Sequence, residues 1–474
     1  MESVAKAIQR LADLAGSPHI SRLSASFAAA GHELALVGGP VRDAFIGREL
    51  NDLDFATDAT PDQILKLVKP LSEAHWDIGR AFGTIGAIID GHTVEITTYR
   101  TDAYDGESRK PVVEFGSSLD DDLVRRDFTI NAMALRLPEQ VLVDPSGGLD
   151  DLLAQRITTP GAPEASFGDD PLRMLRAARF TSQLGFTVAE PTRAAMAALA
   201  GQISIVSVER ISDELGKLLR TDSPRVGLEL LVDTGLAALV LPELPSLRLE
   251  IDEHHHHKDV YEHSLTVLDQ VIELEAYRSH PSPDLVLRMA ALLHDVGKPA
   301  TKRTEPGGVV TFHHHDLVGA KLAGRRLKAL RFDKQFISDV SRLIELHLRF
   351  FGYTEGAWTD SAVRRYVRDA GPLLDRLHIL VRADVTTRNR RKADRLAFAY
   401  DDLEERIAAL SEQEELAAIR PDLDGEQIMA ILGIRPGREV GEAYRFLLEL
   451  RLDEGALGED AATARLQQWW AARA

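Results

Sequence analysis

The chain predicts an α/β head followed by an all-α remainder, and three features of the sequence carry that reading. Short β-rich runs, "ELALVGG", "DLDFAT" and "GTIGAIIDGHTVEITTYR", alternate with helical stretches between about residues 20 and 145. After Pro160 the hydrophobic period becomes helical almost without interruption, as in "DDPLRMLRAARFTSQLG", "RISDELGKLLR" and "VGLELLVDTGLAALVL", and stays so to "LQQWWAARA". Proline-rich joints at "LPELPSLRLEIDE" and "SHPSPD" mark breaks near residues 245 and 282, and the second reads equally as a loop between helices. At 474 residues the chain is too long for one ordinary core. The expected division is a head over 1–155, a helical neck over 156–245, a second helical domain over 246–400 and a helical tail over 401–474.

Within the head, the longest β run splits at Asp90 and Gly91 into two alternating apolar stretches, which predicts a hairpin with an Asp-Gly turn. Composition limits the function. A hydrophobic fraction of 44% with 27% charged residues describes a soluble protein, and no apolar run approaches the roughly 20 residues that cross a bilayer. The first residues, "MESVAKAIQRLADLAG", lack the apolar core of a signal peptide, so a cytoplasmic location and no membrane partner are expected. There is no cysteine, so any metal is held by His, Asp or Glu. A net charge of −18 excludes a protein that coats nucleic acid indiscriminately. Lys321 to Arg395 nevertheless holds 18 basic against 9 acidic residues, densest in "TTRNRRKADR" from Thr386. Such a run is either a solvated face or an RNA-facing surface.

The stretch "LVGGPVRDAFIGRELNDLDFATD" is not explained by packing alone. Asp52 and Asp54 lie two apart in an extended run, so both carboxylates leave the same face of a strand. Adjacent carboxylates repel unless a cation sits between them, and Mg2+ suits one or two carboxylates plus substrate phosphates. Glu95, inside the apolar strand "VEITTYR", offers a third acid, and three such groups can hold two metals for phosphoryl transfer. Gly38 and Gly39 let backbone amides approach a phosphate, and Arg42 adds a guanidinium fork.

Six ordered segments, "LVGGPVRD", "DLDFAT", "LVRRDFTINAMAL", "DPSGGLDDL", "DDPLRMLRAARF" and "SVERISDEL", resemble the polymerase β-like nucleotidyltransferases, and within them the bacterial-type (class II) CCA-adding tRNA nucleotidyltransferase and poly(A) polymerase family. The resemblance covers about residues 30 to 220. It implies a polymerase β-like sheet in the head, followed by helical neck, body and tail. Beside it, Arg125 and Arg126 offer forks for a triphosphate and Asp127 an acceptor for a ribose 2′-hydroxyl. Asp170, Arg173, Arg176 and Arg179 advance by three along one helix, and the resemblance assigns base reading to the Asp170 and Arg173 pair. Cytosine and adenine both present an amine beside an acceptor nitrogen, which a carboxylate and a guanidinium complement; uracil and guanine do not. CTP and ATP are therefore the expected substrates, chosen without a template.

Downstream, His254 to His257, His263, His294 with Asp295, His315, His347 and Asp384 recur on helical stretches. Neutral imidazoles with carboxylates bind divalent transition metals. The pattern resembles the HD phosphohydrolases, with His263, His294, Asp295 and Asp384 at the signature positions and His315 and His347 where binuclear members carry extra ligands. That implies nickel, cobalt or manganese and activity on 2′,3′-cyclic or terminal phosphates. The tail, "LDGEQIMAILGIRPGREVGEAYRFLLELRLDEG", is assigned to RNA contact or to homodimer packing. The resulting expectation is an enzyme that adds C, C and A to a tRNA 3′ end using Mg2+. A poly(A) polymerase or a CC- or A-adding enzyme shares every head motif. An HD phosphohydrolase with an inactive head, or a non-catalytic RNA-binding regulator, is the alternative from another class.

Overall fold

The structure is a computed structural model that describes every residue except 1–3, 49–52, 104–111, 117, 250–258, 279, 307–309, 351, 354–357, 387–388, 415–419 and 474. Asp52, in the first predicted site, and His254 to His257 lie outside the described residues. The chain divides into two compact units, Met1–Val240 and Leu241–Ala474.

In the first unit the strands are β1 (Leu34–Val37), β2 (Leu53–Thr57), β3 (Ala74–Trp76), β4 (Thr84–Ile89), β5 (His92–Thr98), β6 (Arg100–Ala103), β7 (Val112–Phe115), β8 (Ala134–Leu137) and β9 (Val141–Val143). Seven of them form one sheet in the order β3-β4-β5-β2-β1-β8-β9, while β6 and β7 pair as a separate hairpin. Only β2 and β5 run parallel among the sheet's neighbours, setting Asp54 opposite Glu95. The Asp-Gly hairpin forms as expected, with both Asp90 and Gly91 at positive φ between β4 and β5. β1 is buried throughout, and Ala35 and Val37 pack with Ala56, Tyr99, Leu119, Leu123 and Ala134. At its end Gly38, at φ 72°, turns the chain into helix Gly39–Ile46, with Pro40 in the first turn. That is the local cause of a helix N-terminus at the head of the sheet.

The remainder of this unit is helical, led by helices Leu172–Leu184, Val208–Leu219 and Pro224–Asp233, which pack on one another. The predicted helix beginning at Asp170 differs in detail. Asp170 is extended, at φ −144° and ψ 99°, and Pro171 is the cap residue, so the acid flanks the helix that carries the three arginines. The unbroken helical pattern after Pro160 is also interrupted. Thr187–Val188 pairs in parallel with Arg156–Ile157, and in the second unit Arg303–Thr304 pairs with Val310–Thr311. These pairs are two residues long, too short to disturb a period read over eleven or more, and β-branched residues favour them.

The second unit is built from helices Val260–Tyr277, Leu285–Leu293, His315–Ala329, Lys334–Leu346 and Leu374–Ala383, followed by the long helix Arg390–Glu414. Of the "SHPSPD" segment, His280 to Asp284 lie in the connection between the first two. A buried ion pair braces it, Arg288 Nη2 donating to Glu275 Oε2 at 2.7 Å, and Ser282 Oγ donates to the same carboxylate. The terminal helices Gly425–Leu432, Arg438–Glu454 and Glu459–Ala471 share their own apolar core of Leu423, Ile428, Ala443, Leu447, Ala462 and Leu466. Among the described residues no helix is long and apolar enough to cross a membrane.

Candidate functional site

In the first unit a cleft of about 620 Å3 opens where helix Gly39–Ile46 begins and helix Leu172–Leu184 passes. Gly38, Gly39, Arg42, Asp54, Arg126, Asp127, Asp170, Arg173, Arg176 and Arg179 all line it, so the structure brings together most of the residues expected to bind nucleotide. A side chain at Gly38 would press on Arg126, its Cβ only 3.1 Å from Nη1, and the positive φ disfavours one in any case.

The cleft is held in shape by ion pairs and hydrogen bonds. Arg42 is nearly buried; its Nη1 donates to Asn131 Oδ1 at 2.7 Å and its Nε to Asp43 Oδ1 at 2.8 Å. Arg126 donates to Asp122 at 3.0 Å. Arg179 pairs with the buried Glu214 and its guanidinium stacks over Phe180, 4.1 Å from the ring centre. Asp127 receives Phe128 N at 2.8 Å and Asn131 Nδ2 at 3.0 Å on one oxygen, and Arg176 Nε at 2.8 Å on the other. Arg176 Nη2 lies 2.6 Å from that second oxygen. Burial raises the Asp127 carboxyl, but Arg176 and Asn131 outweigh it and hold it down at about 2. Asp127 thereby holds Arg176 in place along the cleft.

Asp170 and Arg173 are each oriented by separate partners. Asp170 Oδ2 accepts from Arg210 Nη2 at 2.7 Å and Oδ1 from Leu172 N at 3.2 Å. Arg173 Nη1 donates to Ser166 Oγ at 2.8 Å and Nη2 to the Arg125 carbonyl at 2.7 Å, both neutral acceptors. Two expected residues stand apart from the cleft lining. Arg125 contributes its carbonyl rather than a phosphate-binding fork, and burial, with Arg100 and Arg173 nearby, pulls its guanidinium down to about 10. Glu95 is exposed on the strand beside Asp54 and does not line the cleft. Conversely Asn131, Phe180, Gln183, Arg210 and Lys217 do line it. Their segments "TINA", "RFTSQ" and "SVERISDELGK" were visible, but spacing alone did not mark these positions as inward-facing.

In the second unit the six expected histidine and aspartate ligands converge. His263, His294 and Asp384 form one group and Asp295, His315 and His347 another, the ligand atoms of each lying within 4.8 Å of one another. Three imidazoles use Nδ1 to donate to a backbone carbonyl three residues back: His294 to Ala291 at 2.8 Å, His315 to Phe312 at 2.8 Å and His347 to Ile344 at 2.6 Å. That fixes the tautomer that presents an Nε2 lone pair. His263 Nδ1 shares a hydrogen bond with Thr386 Oγ1 at 3.1 Å, and its Nε2 lies 2.9 Å from Asp384 Oδ1. His347 Nε2 is fully buried with no hydrogen-bond partner among the described residues, and burial pushes this ring down to about 4, keeping it neutral. An orphaned buried imidazole nitrogen beside two carboxylates is a donor set that fits a divalent transition metal. Lys298, whose Nζ lies 3.0 Å from Asp295 Oδ2, is a further charged group at this centre, spaced three residues on in "HDVGK". Gly297 before it permits the close packing of helix His315–Ala329, since a Cβ there would meet the His315 carbonyl at 2.0 Å.

The basic stretch from Lys321 separates into two populations. Arg326, Arg342, Arg349, Arg365, Arg368, Arg376 and Arg382 are paired with acids. Lys321, Arg325 and Lys328 are exposed on one face of helix His315–Ala329, with no ion pair among the described residues.

Known proteins match along the whole chain. The "Poly A polymerase head domain" family matches residues 34–158, the family described as "Probable RNA and SrmB- binding site of polymerase A" matches 185–247, and the HD domain matches 260–389. The A-adding tRNA nucleotidyltransferase of Deinococcus radiodurans is 36% identical over 450 residues, 92% of this chain and 95% of that protein. The CCA-adding enzyme of Bacillus subtilis is 45% identical over 208 residues, 44% of this chain and about half (51%) of that enzyme. The crystal structure of the Bacillus stearothermophilus CCA-adding enzyme in complex with CTP superimposes with a TM-score of 0.68 at 25% identity, covering 96% of this chain and 99% of that one. The Thermotoga maritima CCA-adding enzyme complexed with tRNA, at 16% identity and a TM-score of 0.61, shares the fold. On the near-complete match to the Deinococcus enzyme, with the head family matched ahead of the HD domain along this chain, the chain belongs to the bacterial-type tRNA nucleotidyltransferase and poly(A) polymerase family.

Proposed function

We propose that the chain is a CCA-adding tRNA nucleotidyltransferase that takes CTP and ATP and extends the tRNA 3′ end with C, C and A, choosing nucleotides by protein side chains. The observation that carries this is one cleft holding a helix N-terminus, a carboxylate from the sheet and the oriented Asp170 and Arg173. Asp54, with Asp52 by sequence, has the hard oxygen donors that fit Mg2+, and Glu95 on the adjacent strand adds negative charge there. When bound, the metal supplies charge neutralisation at the α-phosphate and favours the ionised 3′-hydroxyl. The Gly38 amide is committed to the Met133 carbonyl at 3.1 Å, so the amide of Gly39 and the guanidinium of Arg126 seat the triphosphate. Arg42 and Arg179, tied to Asp43, Asn131 and Glu214, keep the cleft walls in place. Asp170 accepts the exocyclic amine of cytosine or adenine, and Arg173 donates to the adjacent ring nitrogen. The RNA 3′ oxygen forms its bond to the α-phosphorus as the bond to the pyrophosphate oxygen breaks.

A second reading, addition of A alone, is favoured by one observation: a relative 36% identical over 92% of this chain is an A-adding enzyme. Incubation with Mg2+ and tRNA lacking its terminus separates the two. Growth by C, C and A supports the first reading; growth only by one A, and only on tRNA already ending in CC, supports the second, while a long run of A indicates a poly(A) polymerase.

For the second unit we propose a metal-dependent phosphohydrolase centre holding nickel, cobalt or manganese on His263, His294, Asp295, His315, His347 and Asp384. The orphaned His347 nitrogen and the fixed Nε2 tautomers support it. Its reaction adds water to a 2′,3′-cyclic phosphate, breaking one P–O bond to leave a monoester. No hydrolysis above that of His294→Ala with any of the three metals would end this reading.

A further inference from the structure

The basic run that opens helix Arg390–Glu414 has no task in either proposed chemistry, and its placement is unfavourable to the fold. Arg390, Arg391 and Lys392 fill the first turn, which holds no acid, and Arg395 follows one turn on. Cations at a helix N-terminus oppose the helix dipole, and Arg391 with Arg395 adds a like-charge pair four residues apart. The helix does not need them. Asn389 Oδ1 accepts from Lys392 N at 3.2 Å and so caps the first turn. Leu396, Tyr400, Leu403 and Ile407, at helical spacing, bury the anchoring face, and Tyr400 Oη donates to the Val381 carbonyl at 2.7 Å. Arg376 and Arg382, just upstream, are matched to acids. By contrast Arg390, Arg391, Lys392 and Arg395 are exposed and form no ion pair among the described residues, with Asp394 the one acid in their midst.

What the helix presents outward is ordered. Arg391, Arg395 and Phe398 stand four and then three residues apart, so they form one stripe on the face opposite the anchoring residues. Phe398 is 73% exposed, although the same helix buries four large side chains behind it. On the flank of the stripe Ala393 and Ala397 form one wall of a cleft of about 570 Å3, whose other side carries Leu274 and the 86% exposed Tyr277. Cations interleaved with open aromatic rings match one partner in charge and shape: a strand whose phosphates meet guanidinium groups while its unstacked bases lie on the rings. A duplex offers the phosphates but keeps its bases stacked, which leaves Phe398 unused. On a chain of net charge −18, such a stripe confines attraction for RNA to one face. We propose that this face docks unpaired nucleotides of the tRNA, with backbone phosphates on Arg391 and Arg395, one base stacked on Phe398 and a neighbouring base in the cleft beside Tyr277. The proposal rests on the reading of tRNA as substrate given above.

The test is tRNA binding by the full chain, read as fluorescence anisotropy of a labelled tRNA lacking its terminal CCA over a salt series. In Arg391→Glu/Arg395→Glu the Kd should rise at least about tenfold, and the slope of log affinity against log salt should flatten by about 1.4, since each single-strand phosphate contact contributes about 0.7. Because acids suit a helix N-terminus, the thermal midpoint of this variant should stay level or rise, which separates lost binding from lost folding. Phe398→Ala should raise the Kd at least about fivefold with the salt slope unchanged. The matched reversal Lys321→Glu/Arg325→Glu, on helix His315–Ala329, should weaken binding less than about threefold, the scale of screened long-range attraction. Equal loss in that variant shows diffuse attraction and overturns the surface. Unchanged binding in both the arginine and the Phe398 variants overturns it too; if Phe398→Ala then abolishes self-association in sedimentation, the face belongs to a second copy of this chain. Loss in the arginine variant with none in Phe398→Ala overturns the assignment to unpaired nucleotides. Binding that responds as expected in a protein that adds no nucleotide keeps the surface and removes the CCA-adding reading, whereas addition of C, C and A with binding unaltered in the variants does the reverse.

Discussion

The two centres solve opposite electrostatic problems. In the head cleft most of the cations are already matched, Arg42 with Asp43, Arg126 with Asp122, Arg176 with Asp127, Arg179 with Glu214 and Arg210 with Asp170. The site is pre-organised before substrate arrives, which is what a reaction dependent on positioning needs. In the HD centre four imidazoles and two carboxylates converge, with Lys298 beside Asp295. His347 Nε2 lacks a hydrogen-bond partner among the described residues. Burial alone would lower the His294 pKa, but the Asp295 and Asp384 carboxylates push it up to about 10. The head cleft is ordered by its own ion pairs, whereas the HD donor set fits a divalent cation.

The sharpest way to break this comparison is to inactivate each centre in turn. Asp54→Ala is expected to lower nucleotide addition at least about 10³-fold, the scale of losing a charge-stabilising group, with cyclic phosphate hydrolysis intact. His294→Ala is expected to do the reverse. If either variant loses both activities while remaining folded by circular dichroism, the two centres are not independent. Asp170→Ala is expected next, with CTP and ATP preference over UTP and GTP falling by about 10²-fold in competition assays, since the buried partners then discriminate less.

Stability separates the centres in another way. Glu214→Ala leaves Arg179 buried beside Phe180 without its carboxylate, and breaking a buried pair costs about 3 to 5 kcal/mol, read as a fall in the denaturation midpoint. Adding Ni2+ at a hundred times its dissociation constant is expected to stabilise the second unit by about 2.7 kcal/mol. The thermal midpoint of that unit should rise by roughly 5 to 10 °C, and His347→Phe should abolish most of the rise. A head that responded to nickel as strongly would erase the contrast.

What the sequence made legible follows from the range of each interaction. The HD ligands were readable because each sits in a short local motif, and helices turn sequence spacing into direction. Gly38, Asp54 and the arginine row were readable for the same reason. Arg210 and Lys217 were not, because their place depends on how helix Val208–Leu219 packs against helix Leu172–Leu184, a contact no local period encodes. Neighbouring arginines look alike in sequence, while the turn after helix Leu119–Val124 sends Arg126 into the cleft lining and leaves Arg125 outside it, with its carbonyl accepting from Arg173.

The smallest effect expected concerns pH. Asp127 is ionised in the folded chain down to about 2, against a usual carboxylate value near 3.8. A depressed folded pKa contributes stability that is fully present above the unfolded value and is lost as pH falls through the folded one, so the window lies between about pH 4 and pH 2. The contribution is on the order of 2 kcal/mol. Asp127→Asn keeps the shape but not the charge, leaving Arg176 with a weaker acceptor. The variant should be less stable than the parent at pH 7, with the gap closing as the pH falls through that window. In contrast, burial keeps the His347 ring neutral in the folded chain down to about pH 4 while an unfolded imidazole protonates below about pH 6.5, so in the absence of metal the parent should lose stability relative to His347→Phe as the pH falls from about 6.5 to about 4. A head variant whose defect closes between about pH 4 and pH 2, beside an HD variant whose defect already shrinks between about pH 6.5 and pH 4, is what a buried, ion-paired carboxylate and a buried neutral imidazole require of the same chain.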